Sequence, residues 1–386
     1  MTLANECLQE YNYFFRLQII MVNNTSLLDG LLSQNIIRLC DSELLHIPPP
    51  PLPSDLDFNK VEGMLLGVAI GDSLGATSEG RSPIVRQKSF GEIRDYVPGK
   101  RSNNKPIGVP TDDTQLTFWT LKQLILDDGL VPDNLAKRFC GHHIIGIGTT
   151  TKNFIRNYKN DNKPWYNAGL DSLGNGALMR ISPIIVPYLR KPHESMYADA
   201  ALDAMITHNA FANTASCVAF INILWLLLSM KCPPEPRWWV ETYCSVAEKL
   251  EGNSQYNTRV SKYANYRGSL SQFTNHVVTD ALKRNLTTVE ACNQWGSGAN
   301  LFETVPSVIY ILAKHAQNGE EAIIRAVNDT KDNDSVAAIV GAAVGALHGL
   351  DGIPDKWIKG LTGRTRSEDD GEIFKLILTA KRKFWN

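Results

Sequence analysis

Two acidic clusters far apart in the chain contain the residue types that most readily support catalysis. Each combines carboxylates with a hydroxyl at the start of an apolar stretch with helical spacing. The clusters are Thr111, Asp112 and Asp113, and Asp332, Asp334 and Ser335. Hard oxygen ligands suit Mg²⁺ or Mn²⁺, and two such ions would offset the repulsion between the carboxylates if the helices meet. The pattern therefore indicates a metal site that could activate a water molecule.

The same clusters also have an ordinary structural explanation. Asp, Ser and Thr side chains accept hydrogen bonds from the first N–H groups of a helix. Thr111 could be such a cap, and two independent caps would account for the clusters about as well as a metal site does. Asp112 and Asp113 count against this because at most one of two adjacent residues can serve the first turn. The residues alone leave both explanations open.

A third segment, "DSLGNGALMRISPI", contains a loop that could bind a phosphate group. Ser172, Gly174, Asn175 and Gly176 would present backbone N–H groups to an anion, although a plain turn is the more frequent explanation. The segment has neither the lysine of a Walker loop nor the third glycine of a dinucleotide fingerprint. Further along, His208 begins a helix-like stretch, and its ordinary explanation is a core or capping histidine.

The elements that must position these residues are predicted to be helices. Gly63, Gly67, Gly71 and Gly75 share one helix face and would let a second helix approach closely. Period-two alternation is almost absent, and the polar stretch 251–268 is expected to be a mobile surface loop. Apolar stretches with helical spacing recur at 115–128, 133–147, 198–230, 237–250, 271–284, 303–317 and 335–349. We therefore predict an all-α, multi-helix bundle.

Composition narrows the functional classes. The 386 residues include 39 Lys and Arg against 40 Asp and Glu, without a dense basic stripe, so nucleic acid is not an expected partner. Seven cysteines without a CxxC pair are typical of reduced thiols, which predicts a cytoplasmic protein. The N-terminus carries acids where a signal peptide has Lys or Arg. The longest apolar run, 218–230, is too short to span a bilayer and is expected to be a buried core helix rather than a membrane segment.

A proline-rich stretch marks the main boundary. Pro48–Pro51 and Pro53 predict an extended linker, so residues 1–54 form an N-terminal extension and residues 55–386 the main domain. The extension is apolar, with "YNYFFRLQIIMV" followed by leucines at helical spacing. Two explanations remain open: it folds onto its own domain, or it is an arm that docks on a partner.

Four motifs occur in a characteristic order: "GVAIGDSLGATSEG", "PTDDTQLT", "GNGALMRISP" and "AVNDTKDNDSVAAIVGAAVGALHG". Together, over about residues 58–363, they closely resemble the ADP-ribosylglycohydrolase family. The resemblance implies a compact orthogonal all-α bundle with a dinuclear Mg²⁺ or Mn²⁺ centre. It also implies hydrolysis of the bond between ADP-ribose and a protein side chain.

The resemblance also implies roles for individual residues. The six residues of the two acidic clusters would be metal ligands, Asp72 would be structural, and Glu79, Asp113 and Asp334 would be catalytic. The substrate would contact Ser172, Leu173, Gly174, Asn175, Gly176 and His208. The Asp332-x-Asp334-Ser335 form looks like that of arginine-directed hydrolases, which favours ADP-ribosylarginine. Ala299 follows Gly298 where some relatives place an adenine-stacking aromatic, so Trp295 or Phe302 are candidates for that contact.

Two further classes of function are kept open. Some relatives resemble immunity proteins, which implies that residues 1–54 bind and block an ADP-ribosyltransferase toxin. A catalytically silent inhibitor would share that feature without a working metal site. A two-metal phosphohydrolase would release phosphate instead of free ADP-ribose.

Overall fold

The computed structural model describes residues 23–386 as helices joined by loops and short 3₁₀ turns, with isolated β-bridges and no strand in that range. The predicted all-α fold is confirmed. In chain order the helices are α1 (Asn24–Ser33), α2 (Asn59–Gly75), α3 (Pro83–Phe90), α4 (Asp112–Asp127), α5 (Pro132–Gly141), α6 (Thr149–Ile155), α7 (Trp165–Ala168), α8 (Ser195–Thr207), α9 (Phe211–Ser229), α10 (Pro236–Glu251), α11 (Leu270–Lys283), α12 (Thr288–Trp295), α13 (Leu301–His315), α14 (Gly319–Asp329), α15 (Asn333–His348), α16 (Asp355–Gly360) and α17 (Glu372–Phe384).

Helices α2 and α15 pack backbone against backbone at the centre of the bundle. A Cβ atom on Gly67 would lie 2.1 Å from the carbonyl oxygen of Gly341, and one on Gly71 would lie 2.1 Å from that of Ala337. A Cβ on Gly75 would lie 2.4 Å from the Asp334 Cα. Since Cβ atoms essentially never come this close, only glycine fits along the contact. The predicted glycine face of α2 is confirmed, and it aligns the C-terminal end of α2 with the N-terminal end of α15.

Helix α9 lies in the core, as predicted for residues 218–230. Helix α9 and the stretch Asn333–Gly352 are long and apolar enough to cross a membrane by length and composition, yet 83% and 78% of these stretches are buried inside the protein. Lys60 closes the C-terminal end of α9 by donating hydrogen bonds to the carbonyl oxygens of Leu227 and Leu228. Such lysine contacts satisfy carbonyls that have no partner within the helix.

One predicted helix is interrupted at His208. The stretch 198–230 forms two helices, because the backbone of His208 is extended and pairs with Leu170. Leu170 donates to the Thr207 carbonyl oxygen (3.1 Å) and accepts from the Asn209 N–H (2.7 Å). These bonds replace helical ones and hold the break open.

The stretch 251–268 is fastened to the body more than its polar composition predicts. The Tyr256 hydroxyl accepts a hydrogen bond from the Ala212 N–H of α9 (3.3 Å). The rings of Tyr263 and Tyr266 pack edge-on against Phe273, each with a centroid separation of 5.1 Å. Three tyrosines therefore anchor a segment that was expected to be a mobile surface loop.

The described half of the N-terminal extension packs on the body. Leu28 and Leu31 of α1 are buried, and the Asn24 amide donates to a carboxylate oxygen of Asp199 (2.6 Å). The Trp225 indole donates to the Pro50 carbonyl oxygen (2.8 Å). Residues 23–54 thus follow the first of the two explanations. Residues 1–22, which include "YNYFFRLQIIMV", lie outside the described residues.

Candidate active site

The two acidic clusters meet at the end of the glycine contact between α2 and α15. Carboxylate oxygens of Asp72, Asp113 and Asp334 lie within 4.8 Å of one another and form what we call the inner acid group. Oxygens of Glu79, Asp332 and Asp334 also lie within 4.8 Å of one another and form the outer acid group. Asp334 belongs to both groups. Residues far apart in sequence therefore build one continuous acidic site.

The side chains of Thr111 and Asp332 do not cap the backbone of the helices that they precede. Thr111 occupies the N-cap position of α4 and Asp332 that of α15, yet within residues 23–386 neither side chain accepts a capping hydrogen bond from a backbone N–H of its helix. The Thr111 hydroxyl instead donates to Asp72 Oδ1 (2.7 Å). Asp332 Oδ2 accepts from the side-chain amide of Asn175 (2.6 Å). Both cap positions direct their side chains into the acidic site.

Asp72 caps helix α4 from the neighbouring helix α2. Its Oδ2 accepts the backbone N–H groups of Thr111 (2.8 Å) and Thr114 (3.1 Å), and the Thr114 hydroxyl donates to the same oxygen (2.5 Å). These bonds agree with the structural role expected for Asp72. Its membership of the inner acid group is a feature that the sequence analysis missed. The available indication was its position after Gly71, on the helix whose glycine face meets α15.

Burial and mutual repulsion raise the pKa values of the buried aspartates of the site. Burial, followed by the charge of Asp72, raises the pKa of Asp112 to about 7. Burial also raises the pKa of Asp332 to about 6. For Asp113 and Asp334, burial and then a neighbouring carboxylate, Asp72 and Asp332 respectively, raise the pKa well above the ordinary value. A bound cation would reverse these shifts, because positive charge favours the ionised form.

The residues present fit a divalent metal centre. Asp113 Oδ1 is buried and has no hydrogen-bond partner among residues 23–386; an oxygen in this state costs about 1–3 kcal/mol. The Thr111 hydroxyl donates a hydrogen bond to Asp72, and the lone pairs of its oxygen stay available to a metal ion. All candidate ligands are oxygens, which matches Mg²⁺ or Mn²⁺ better than zinc or copper.

The Ser172–Gly176 loop is attached to the outer acid group. Asn175 donates from its side chain to Asp332 and from its backbone to the Ala299 carbonyl oxygen (3.0 Å). Leu301 N–H donates to the Leu173 carbonyl oxygen (2.8 Å). The predicted loop and the predicted metal residues therefore belong to one site, with Asn175 as the direct connection.

His208 lies buried beneath the same loop. A Cβ atom on Gly176 would lie 2.9 Å from His208 Cε1, so the loop passes directly over the imidazole. His208 Nδ1 shares a hydrogen bond of 2.8 Å with the Thr207 hydroxyl, which also accepts from Arg180 (3.0 Å). Burial lowers the pKa of His208 to about 3, so the ring is neutral. The ring supports the loop, and direct contact with a ligand stays a prediction.

Glu79 lies at the rim of the site. Its side chain is 45% exposed, and its Oε2 is 3.9 Å from a guanidinium nitrogen of Arg101. The other members of the outer acid group are largely buried. Glu79 is therefore the solvent-exposed carboxylate of the outer acid group.

Neither aromatic suggested for adenine stacking is available. Trp295 is wholly buried and donates from its indole N–H to Ser307 (3.0 Å). Phe302 is 1% exposed and packs against Phe273 and Tyr266. That suggestion is wrong, because both rings are part of the core.

Comparison with known proteins agrees with this geometry. A family model described as ADP-ribosylglycohydrolase matches residues 53–383. The chain is 26% identical to the ADP-ribosylarginine hydrolase Tri1 of Serratia proteamaculans (strain 568) over 340 residues, which cover 84% of this chain and 81% of that protein. It is 23% identical to the ADP-ribosyl-dinitrogen reductase glycohydrolase of Rhodospirillum rubrum over 325 residues, which cover 82% of this chain and 95% of that protein.

A solved structure shares the fold. An ADP-ribosylglycohydrolase-related protein complex aligns with a TM-score of 0.60 and 23% identity, covering 84% of this chain and 98% of that chain. This likeness concerns the fold alone, whereas the family model spans most of the sequence. The protein therefore belongs to the ADP-ribosylglycohydrolase family, whose enzymes cleave the glycosidic bond of ADP-ribose.

Proposed function

We propose that this protein is a metal-dependent hydrolase that removes ADP-ribose from arginine side chains of modified proteins. The observation that carries the proposal is the sharing of Asp334 by two overlapping acid groups, one of them bonded to the Ser172–Gly176 loop through Asn175. This arrangement supports the proposal of a site for two cations beside a loop suited to a diphosphate.

The acidic residues would hold two Mg²⁺ or Mn²⁺ ions. The ligands in this proposal are Thr111, Asp112, Asp113, Asp332, Asp334 and Ser335. When bound, the ions supply the Lewis acidity that activates a water molecule and stabilises developing charge. Since Asp113 and Asp334 are buried at the centre of the site, they are suited to move protons within it rather than to exchange them with solvent.

The reaction balances with these groups. Water adds to the anomeric carbon of ADP-ribose as the bond from that carbon to the guanidine nitrogen breaks. Asp113 or Asp334 accepts a proton from the water and returns one to the leaving nitrogen. The products are free ADP-ribose and unmodified arginine. Glu79, at the rim, would contact the incoming substrate and control access.

Charge favours arginine as the leaving group. The guanidinium is cationic, and the rim of the site offers Glu79 and the half-buried Asp112. A relative that covers most of this chain is named an ADP-ribosylarginine hydrolase. A neutral or anionic leaving group would gain nothing from these carboxylates.

The test is release of free ADP-ribose from an ADP-ribosylarginine protein in Mg²⁺ and in EDTA. We expect release by the wild type only with Mg²⁺, and none by Asp112→Ala/Asp113→Ala. Asp355→Ala is a suitable control, because that side chain is 83% exposed and, among residues 23–386, its ion pair is with Lys359 along α16. Release of phosphate without ADP-ribose would favour the phosphohydrolase, and no release despite bound metal would favour an inhibitor.

We also propose that any toxin-binding role of the N-terminal extension belongs to residues 1–22. Residues 23–54 already use Leu28, Leu31 and Asn24 to bind the body of the same chain. Deleting residues 1–22 leaves those contacts intact, which makes it a cleaner variant than deletion of residues 1–54. Loss of binding to an ADP-ribosyltransferase, with hydrolysis retained, is the expected result; unchanged binding contradicts the proposal.

A further inference from the structure

Arg86 is wholly buried next to the outer acid group, and all five of its N–H groups are used. The side chain comes from α3, and its guanidinium bonds exclusively to a hydroxyl and to backbone carbonyls. The bonds run from Nε to Ser78 Oγ (2.9 Å), from Nη1 to the carbonyl oxygens of Asn328 (3.1 Å) and Thr330 (2.6 Å), and from Nη2 to those of Ser78 (3.3 Å) and Arg81 (3.0 Å).

These acceptors flank the residues of the outer acid group. Ser78 and Arg81 lie on either side of Glu79, and Thr330 lies two residues before Asp332. One planar group therefore spans the turn that carries Glu79 and the turn that carries Asp332. A rigid guanidinium fixes the distance between two segments in a way that a flexible ammonium cannot.

Two further bonds join the same turns. The Gly80 N–H donates to the Lys331 carbonyl oxygen (3.0 Å). The Asn333 amide donates to Ser78 Oγ (2.9 Å), the hydroxyl that also accepts from Arg86. Ser78 is thus a junction between Arg86 and the start of α15.

Arg86 also brings positive charge to the acidic site without an ion-pair partner of its own. Arg86 forms no salt bridge among residues 23–386, and the charge of Asp334 is the largest one that favours its charged form. Burial lowers the pKa of Arg86 to about 10, so the group stays charged at neutral pH. Its charge therefore offsets part of the repulsion among the carboxylates.

The inner acid group is held by different contacts. Asp72 is bonded to Thr111 and Thr114, and none of these residues touches Arg86 through a hydrogen bond of the described chain. Loss of the Arg86 contacts should therefore disturb the outer acid group more than the inner one.

We propose that Arg86 is a positioning residue that holds Asp332, a proposed ligand of the second metal ion, at a fixed distance from the turn that carries Glu79. This inference rests on the proposed two-metal function. The experiment below distinguishes failure of the Arg86 role from failure of that function. Groups that orient metal ligands typically change metal affinity by about 10- to 100-fold when they are removed.

The experiment is calorimetric titration of the metal-free protein with Mn²⁺. For the wild type we expect two bound ions. In Arg86→Lys the affinity for one ion should fall by about 10- to 100-fold while that for the other stays within about twofold. Ser78→Ala removes one acceptor of the same network and should give a smaller loss at the same ion.

Arg180→Lys is the matched control, because Arg180 is equally buried but binds Asp203 and Thr207 beneath the Ser172–Gly176 loop. Its two Mn²⁺ affinities should match those of the wild type. Equal weakening of both ions in Arg86→Lys, or weakening in Arg180→Lys to the same degree, overturns the role of Arg86. Fewer than two ions in the wild type overturns the two-metal function and this inference with it.

Discussion

The inner and outer acid groups share Asp334 but are built in different ways. The inner group is formed by helix packing: Asp72 and Asp334 are brought together by the glycine contact of α2 and α15, and threonines of α4 bond to Asp72. The outer group is formed by two turns joined through Arg86, with Glu79 at the surface. In the proposed two-metal site, the inner group would therefore hold its ion rigidly, whereas the outer group would be the part that adjusts to substrate.

The largest effect is expected from changing the inner group. Asp113→Asn should lower kcat by about 10²- to 10⁴-fold, because a buried proton carrier and ligand is lost. The free energy of unfolding of the metal-free protein should not fall, since the substitution removes a repelled charge. Steady-state kinetics and urea unfolding measure the two quantities. Full activity in saturating Mg²⁺ would contradict the role of Asp113.

The glycine contact can be broken directly. In Gly67→Ala the new methyl group would lie 2.1 Å from the Gly341 carbonyl oxygen, and such overpacking costs about 1–3 kcal/mol. We expect a lower urea midpoint and weaker binding of both metal ions, since both groups depend on this alignment. Gly30→Ala is the control: a Cβ there meets nothing within 4 Å, so stability should be equal or slightly higher.

The pH dependence of stability follows from the raised pKa values. Because the pKa of Asp112 is about 7 and that of Asp332 about 6 in the folded protein, against about 4 for an unfolded chain, the folded state binds more protons between these values. The free energy of unfolding of the metal-free protein should therefore fall as pH rises from about 4 to about 7. Urea unfolding at several pH values measures this slope. It should flatten in Asp112→Asn/Asp332→Asn, and a slope of opposite sign would contradict the electrostatic account.

The smallest effect is expected at the rim. Glu79→Gln keeps the size of an exposed side chain, so stability should be unchanged, and the activity should fall mainly through a higher KM. Comparing kcat and KM of Glu79→Gln with those of Asp113→Asn tests whether the outer and inner acid groups have different roles. A loss of kcat as large as that of Asp113→Asn would place Glu79 in the chemical step instead of at the entrance.

Residue types and motif order predicted much of this site, because carboxylate clusters and a glycine-rich loop are local features. The convergence of the clusters depends on the close packing of α2 and α15, for which the glycine spacing was the sequence indication. Asp72 was assigned only a structural role, although one of its carboxylate oxygens lies within 4.8 Å of one from Asp113. Arg86 was missed because one arginine in a short polar segment looks like a surface residue. Its proposed role depends on the Ser78 hydroxyl and on backbone carbonyls of two turns, one of which is far from Arg86 in sequence.

The errors in the sequence analysis have a common physical cause. Trp295 and Phe302 were judged by residue type, whereas their availability depends on packing from other helices. The break at His208 depends on pairing with Leu170, which no local propensity reveals. Tertiary contacts decided each of these cases.

The most direct test of the central claim is a crystal structure of the protein with Mn²⁺, with the ions located by anomalous diffraction. Two peaks are expected, one beside Asp113 in the inner acid group and one beside Asp332 in the outer acid group, with Asp334 close to both. A single peak, or peaks away from these carboxylates, would contradict the account of one site built from two acid groups.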